Sequence, residues 1–368
     1  MGSGCIDDPL AVDPFIMREC EHVSLAPLTT LRLGGLASRW VEVESEGDVV
    51  AVLRQARVRE EPVFVLGRGS NVVVGDEGFP GIVVAMGLRG VDVRRDGMQV
   101  VVDVAAGEDW DGLVARAIAD GWSGIECMSG IPGLVGATPI QNVGAYGQEV
   151  SDTLVWVRAY DRVAGDFVTV PAGSCGLSYR ASVFKRNDRW IVTSVRFAFD
   201  VSPDAAPIRY AELARALSTH EGSRPRAALV RETILALRRG KGMVVDPHDP
   251  ESVSAGSFFV NPVVAAQGLL EVETRAGDRP PSFPVDGGRF KLAAAWLVER
   301  AGFTKGWTEG RVCVSRKHAL ALVNRGGATT RELLALAARI RDAVWARFGV
   351  RLELEPVLVG CSFEDRAS

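Results

Sequence analysis

Residues Gly124–Tyr146, GIECMSGIPGLVGATPIQNVGAY, constrain this chain more than any other segment. Gly124, Gly130, Gly133, Gly136 and Gly144 punctuate it, Pro132 and Pro139 stiffen it, and Glu126 is its only ionised side chain. A solvated loop would carry more charge. Glycine admits unusual backbone angles and close approach, so such a segment suits a backbone pressed against something buried. One such object is a phosphate-bearing cofactor held in a nest of main-chain N–H groups. A tight loop packed on its own domain gives the same pattern, and the segment alone leaves both readings open.

A chain of 368 residues exceeds one ordinary domain, and its 47% hydrophobic content supplies material for two or three cores. A formal charge of −4 gives no basic footprint, so nucleic acid is not an expected partner. No apolar run approaches the length of a spanning helix, and Met1–Phe15 lacks the basic and apolar regions of a signal peptide. A cytoplasmic protein with no membrane partner is expected. The cysteines at 5, 20, 127, 175, 313 and 361 show no CxxC spacing, and His22, His220, His248 and His318 show no metal-ligand pairing. Reduced thiols and no metal site follow.

Short strands and helices alternate without regular βαβ repetition, which argues for α+β. Val63–Leu66 reads as a strand, Val91–Val104 as a hairpin about Asp96-Gly97, and Glu108–Asp120 as an amphipathic helix. Strands are expected at Leu154–Tyr160, Phe167–Val170 and Trp190–Phe199, and a helical pattern runs from Pro225 to Arg239. Val272–Arg289 reads as an irregular connection, followed by a helix at Leu292–Ala301 and a strand at Ala319–Val323. Thr329 and Glu332 form a capping box for a helix ending at Phe348-Gly349, and Arg351–Val359 reads as a closing strand.

Four further segments carry chemical groups. In LGRGSN (66–71) a strand opens into a turn whose N–H groups and Ser70 hydroxyl can meet an anion, or can be a plain turn. In SYRASVFK (178–185) Arg180 sits among apolar residues and needs an anionic partner, internal or bound. Ser257 in GSFFVNP (256–262) is either a hydroxyl in a dry pocket or a turn serine. In LELEPVLVG (352–360) Glu353 and Glu355 share a strand face; buried, one would have a raised pKa, and solvated, neither would.

In chain order these segments resemble MurB, the family of UDP-N-acetylenolpyruvoylglucosamine reductases. PLTTLRLGG (27–35), GRGSN (67–71), SGIPGLVGATPIQNVGAYG (129–147), YRASVFK (179–185), GSFFVNP (256–262), KLAAAWLVERAGF (291–303) and LEPVLVG (354–360) all match its signatures. The resemblance implies an α+β protein: a two-part FAD-binding module of the vanillyl-alcohol-oxidase type plus a C-terminal α+β substrate-binding domain. The corresponding division is a disordered 1–20, flavin parts 21–81 and 82–224, a substrate domain 225–350, and a closing strand with polar tail 351–368. It implies non-covalent FAD, NADPH as reductant, a nucleotide-sugar substrate and a monomer.

Residue by residue, the resemblance places Gly67, Gly69, Ser70, Asn71, Gly130, Ile131, Gly133, Gly136, Ala137 and Gly144 around the flavin. Arg180, Ser257 and Glu355 take the catalytic positions. Tyr210 matches the tyrosine of a loop closing over the substrate's uridine diphosphate, and Lys241, Asn261 and Lys291 sit where the family contacts the nucleotide sugar. His318 is read as a scaffold histidine or as a group standing behind the site residues. The implied chemistry is hydride from flavin N5 to C3 and protonation of C2 by Ser257, with Arg180 and Glu355 stabilising the intermediate charge.

The chain departs from the family pattern at Arg68, where glycine is usual, at Gln141 for Met, at Ala295 for Gly, and in RRGKGMVVDP (238–247). An oxidase with a tethered flavin is the competing enzyme, but the Gly-rich segment contains no His and only Cys127. A binding protein without turnover is the competing class, and it would lack one of the catalytic three.

Overall fold

Val100, Val102 and Val104 alternate along one strand and are completely buried, while Gly97 takes a left-handed φ of 60° at the turn before them. This is the hairpin read from the sequence, and it forms the edge of the central sheet. The structure, a computed structural model, describes residues 17–363. Most of the N-terminal segment 1–20 and the end of the polar tail lie outside the described residues. Within them, ordered pairing starts at Glu19, inside the segment expected to fray.

The N-terminal part contains strands β1 (Glu19–Ser24) and β2 (Leu36–Val43), helix α1 (Glu46–Val58), then β3 (Val63–Leu66), β4 (Val72–Val74) and β5 (Phe79–Met86). One sheet runs β1-β2-β5-β3, with β2 and β3 both parallel to β5. Ser45 and Asp48 form a capping box that fixes where α1 begins. Next come β6 (Val91–Asp96), β7 (Gln99–Ala105), α2 (Trp110–Ala119), β8 (Leu154–Asp161), β9 (Asp166–Pro171) and β10 (Trp190–Val201). Their antiparallel sheet runs β9-β8-β10-β7-β6. One continuous core joins both sheets: Val41, Ile82 and Val84 pack in the same cluster as Trp110, Phe197 and Phe199.

Helices α3 (Ala211–Ala216) and α4 (Ala227–Gly240) follow. The buried face of α4, Ala227, Val230 and Ile234, packs with Cys127, Ala205, Ile208 and Leu213. A boundary at 225 therefore separates α4 from the residues it packs against. The C-terminal part holds β11 (Ser254–Ser257), β12 (Val263–Ala265), α5 (Ala266–Ala276), β13 (Ser282–Val285), β14 (Arg289–Leu292), α6 (Ala294–Arg300), β15 (Thr308–Glu309), β16 (Val312–Val314), β17 (Ala321–Asn324), α7 (Thr330–Phe348) and β18 (Val357–Val359). β11-β17-β16-β15 form one sheet and β12-β14-β13 another. Together these elements establish the α+β class read from the chain.

Two segments differ from expectation. Val272–Arg289 is ordered: α5 buries Leu269 and Val272 three residues apart, and β13 pairs with β14 about Gly287 and Gly288. Arg351–Val359 is a strand only from Val357. Pro356 has no N–H to donate, so residues before it join the sheet through a single Phe259–Leu354 bridge. Val357–Val359 then runs parallel to β4, which carries the C-terminal segment back onto the N-terminal part.

The same contact is made at the start of α7. Asp76, in the turn after β4, accepts the N–H groups of Thr330 at 2.7 Å and Arg331 at 3.0 Å, while the Thr330 hydroxyl reaches Val74 O at 2.6 Å. An anion on orphan N–H groups at a helix N-terminus stabilises it by about 1–2 kcal/mol. Asp76→Ala should accordingly lower the thermal midpoint by several degrees. A midpoint equal to that of wild type would mean this junction contributes nothing.

Candidate active site

The β3–β4 turn, the 131–144 segment, residues 252–257 and Glu355–Val357 enclose a cavity of about 350 Å³. The turn at 67–71 can lie so close to the N-terminal 3-10 turn because Gly69 has no side chain: a Cβ there would collide with the Leu28 carbonyl, and φ is 62°. The Ser70 hydroxyl donates to Pro132 O at 2.8 Å, tying the two glycine segments together. Trp110 Nε1 donates to Met128 O at 3.2 Å and holds the second segment from below.

Gly67, Gly69, Ser70, Asn71, Ile131, Gly133, Ala137 and Gly144 line this cavity. Gly130 and Gly136 do not. The Gly130 N–H is consumed by Asp111 Oδ1 at 2.6 Å, and its α-carbon packs against Leu235 and Val244. The α-carbon of Gly136 packs against Ala106, and its N–H donates to Ala106 O at 3.0 Å. Both glycines serve close packing behind the lining. Arg68 also lines the cavity and lies 3.8 Å from Asp109, with its side chain half-exposed, so the position accommodates a side chain.

Arg180, Ser257 and Glu355 all line this cavity. Arg180 Nε donates to Glu355 Oε1 at 3.0 Å, and its terminal nitrogens donate to Gly144 O at 2.8 Å and Asn142 O at 3.4 Å. The two side chains are only 19% and 15% exposed. Burial pushes the Glu355 carboxyl above its usual range, against the pull of Arg180 and Lys185. Glu353 is exposed. Leu352 and Leu354 alternate with the two glutamates and are buried, in keeping with the shared face read from the sequence, and the drier of the two is Glu355. Ser257 reaches the cavity because the β11–β17 register shifts between Ser254 and Ser257, with Gly256 at φ 73°. A bulge of this kind re-aims a side chain.

Tyr210, Lys241, Asn261 and Lys291 stand outside the lining. Tyr210 is edge-on to Tyr146 at 5.6 Å; Lys241 Nζ lies 5.3 Å from the Tyr146 ring centre and 2.7 Å from Glu212. Lys291 Nζ lies 4.6 Å from the Tyr179 ring centre, and Asn261 Oδ1 accepts the Ala294 N–H at the start of α6. The four gather in two pairs, at Tyr146 and at Tyr179.

Three lining residues had no role assigned from sequence. Gln141 donates to Glu355 Oε1 at 3.3 Å, so the departure from Met adds a polar contact to the carboxylate. Lys185 donates to Arg180 O at 2.7 Å. Arg238 opens the atypical RRGKGMVVDP segment; its Nη2 donates to Met243 O at 2.8 Å while its buried Nε has no hydrogen-bond partner. Burial lowers the Arg238 pKa, which marks a desolvated cation facing a cavity. A guanidinium with one unpartnered N–H, together with glycine-lined walls, fits a group bearing a diphosphate. Among the described residues no cluster of His, Cys, Asp and Glu could hold a metal ion, and no helix is long and apolar enough to cross a membrane.

A family model for an FAD binding domain matches residues 37–170, across the turn and the glycine segment. The model for the C-terminal domain of UDP-N-acetylenolpyruvoylglucosamine reductase matches residues 248–359. Fold and site thus define an FAD-dependent oxidoreductase. The UDP-N-acetylenolpyruvoylglucosamine reductase of Salinispora arenicola is 53% identical over 92% of this chain and 95% of its own. That of Saccharopolyspora erythraea is 52% identical over 92% and 95%. The crystal structure of the Thermus caldophilus enzyme covers 94% of this chain and all of its own, at 26% identity and a TM-score of 0.65. The chain belongs to the UDP-N-acetylenolpyruvoylglucosamine reductase family.

His318 stands apart from this lining. Its Nδ1 accepts the Leu320 N–H at 3.0 Å, and burial, with Lys241 and Lys305 nearby, depresses its pKa from 6.5 to about 4. A histidine depressed in the folded state stabilises above its unfolded pKa, and that stability is lost as pH falls toward about 4. His318→Gln should flatten the loss of thermal midpoint between pH 6.5 and 4 relative to wild type. An imidazole NMR resonance for His318 titrating near 6.5 would contradict the assignment.

Proposed function

We propose that this chain reduces UDP-N-acetylenolpyruvoylglucosamine to UDP-N-acetylmuramate with NADPH, in cytoplasmic peptidoglycan precursor synthesis, holding FAD non-covalently. The observation that carries the reading is the convergence of Arg180, Glu355 and Ser257 on one glycine-walled cavity. Cys127, the one cysteine of the glycine segment, is buried against Ala205 and Ile208 and offers no tether. Gly67, Gly69, Ser70 and Asn71 would approach the cofactor on one side, and Ile131, Gly133, Ala137 and Gly144 on the other. Arg238 supplies charge for its diphosphate. We read 21–81 and 82–224 as the two halves of the flavin module, 225–350 as the substrate part, and 351–368 as its closing segment.

Bound FAD supplies hydride chemistry, having been reduced by NADPH. The chain's residues handle charge and proton. Adding hydride to C3 of an enol ether drives negative charge from C2 into the neighbouring carboxylate. Arg180 faces that charge as a fixed cation, and a protonated Glu355 donates a hydrogen bond to it; a dry carboxyl held above its usual pKa suits this role. Ser257 delivers the proton to C2. Tyr210 and Lys241, in the manner of the subclass with a closing tyrosine loop, and Asn261 and Lys291 at Tyr179, would take the nucleotide sugar.

Anaerobic protein should consume NADPH in proportion to added UDP-N-acetylenolpyruvoylglucosamine. Consumption independent of that compound, or none with it, contradicts the reading. Ser257→Ala should leave flavin reduction by NADPH near wild type and slow reoxidation by the nucleotide sugar at least ~10²-fold, the scale of general acid catalysis. Equal slowing of both half-reactions would make Ser257 structural. Glu355→Gln should lower turnover by about 10²- to 10³-fold with FAD retained, as for loss of one charge-stabilising donor. Glu353→Gln, altering an exposed side chain, should stay within about threefold. The reverse order would shift the assignment by two residues.

A further inference from the structure

The 178–186 segment holds two charged groups that the proposed reaction leaves unused, Lys185 and Arg186, and of these Lys185 lines the cavity. Arg180 has a left-handed φ of 54°, a conformation that costs a non-glycine residue energy and persists only where its surroundings enforce it. Its neighbours are fixed on both sides. Ser178 and Ala181 exchange backbone hydrogen bonds at 3.1 Å, and Ser182 Oγ donates to Ile140 O at 2.6 Å. Phe184 is buried edge-on to Trp190 at 6.0 Å. What grips Arg180 itself is Lys185, whose ammonium donates to the Arg180 carbonyl at 2.7 Å while lining the cavity.

We propose that Lys185 is a positioning residue of the reductase site: its ammonium holds the Arg180 backbone in the left-handed conformation that lays the guanidinium on Glu355, and it adds a second cation to the field around that carboxyl. The inference rests on the proposed function above. Arg180, Lys185 and Arg186 face Glu355 from the 178–186 segment, with Arg186 donating to Leu354 O at 3.2 Å. Gln141 reaches it as a neutral donor, Arg238 and Ser257 line the same cavity, and Glu353 lies on its own segment. Burial lowers the Lys185 pKa, so the ammonium is held at a cost that its contact with the Arg180 carbonyl offsets. Replacing the ammonium by an apolar group frees that carbonyl to turn over. It also removes a charge that favours ionised Glu355, so the carboxyl should keep its proton to higher pH.

The test compares Lys185→Met and Lys185→Arg in the FAD-loaded protein, following each half-reaction by flavin absorbance. Lys185→Met should slow reoxidation by UDP-N-acetylenolpyruvoylglucosamine about 10- to 100-fold, the usual cost of a misplaced catalytic group. KM and flavin reduction by NADPH should change less than about threefold on the same argument, because neither depends on the Arg180–Glu355 geometry. The alkaline limb of the reoxidation profile should move to higher pH, and Lys185→Arg should restore both rate and limb. A packing role alone would leave the limb in place. Reoxidation within threefold of wild type, or an unmoved limb, overturns the proposal. Should Lys185→Met fail to retain FAD, Lys185→Gln carries the same comparison. A wild-type protein without reductase activity would instead overturn the reading beneath it, before any variant is made.

Discussion

A guanidinium and a carboxylate 175 residues apart in the chain meet at 3.0 Å, and four segments are arranged around that meeting. Arg180 is also bonded to the carbonyls of Asn142 and Gly144 on the glycine segment. Glu355 is held through its own backbone: its N–H donates to Phe258 O at 3.0 Å, and Asn71 Nδ2 approaches its carbonyl at 3.4 Å. The pair therefore links the β3–β4 turn, the glycine segment, the 178–186 segment and the strand that carries Ser257. Removing one partner of a buried pair costs about 3–5 kcal/mol, and a pair this little exposed falls toward that range after some discount for solvent. Its cost is accepted because the site needs charge in a dry place.

The dry place depends on how the glycine segment is supported without charge of its own. Glu126, its sole ionised residue, is fully buried, and its carboxylate accepts from Gly124 N at 2.7 Å, Gln148 Nε2 at 2.9 Å and Ala206 N at 2.6 Å. That carboxylate ties the segment to the chain leading toward Tyr210. Asp111 does similar work a few residues further on, bonded to the Gly130 N–H and to Arg231. Two acids thus stand behind the lining, while the glycine-segment residues that face the cavity carry no charge.

Much of this was legible in the chain, and the reasons for failure are local. The hairpin about Gly97 and the capping box at Thr329 were readable because each depends on residues within a few positions. Glycine composition marked the right segment but could not separate glycines that face a ligand from those that face a wall: Gly133 lines the cavity, whereas Gly136 packs on Ala106. Arg238 and Lys185 escaped notice since a basic residue near a helix end or a loop is normally solvated. Their significance lies in what the fold removes from around them. Glu353 and Glu355 alternate with buried Leu352 and Leu354 as the chain suggests, but local pattern could not show that the fold covers one glutamate with Arg180 and leaves the other exposed.

The central claim is that Arg180 and Glu355 act as a unit on the substrate's developing charge. A double-mutant cycle of Arg180→Gln, Glu355→Gln and the combined variant, read on the rate at which UDP-N-acetylenolpyruvoylglucosamine reoxidises the reduced flavin, measures this directly. The account predicts that either single change costs nearly as much as both together, as for residues that work as one assembly. Losses that multiply across the two sites, with FAD bound in all three variants, would contradict it.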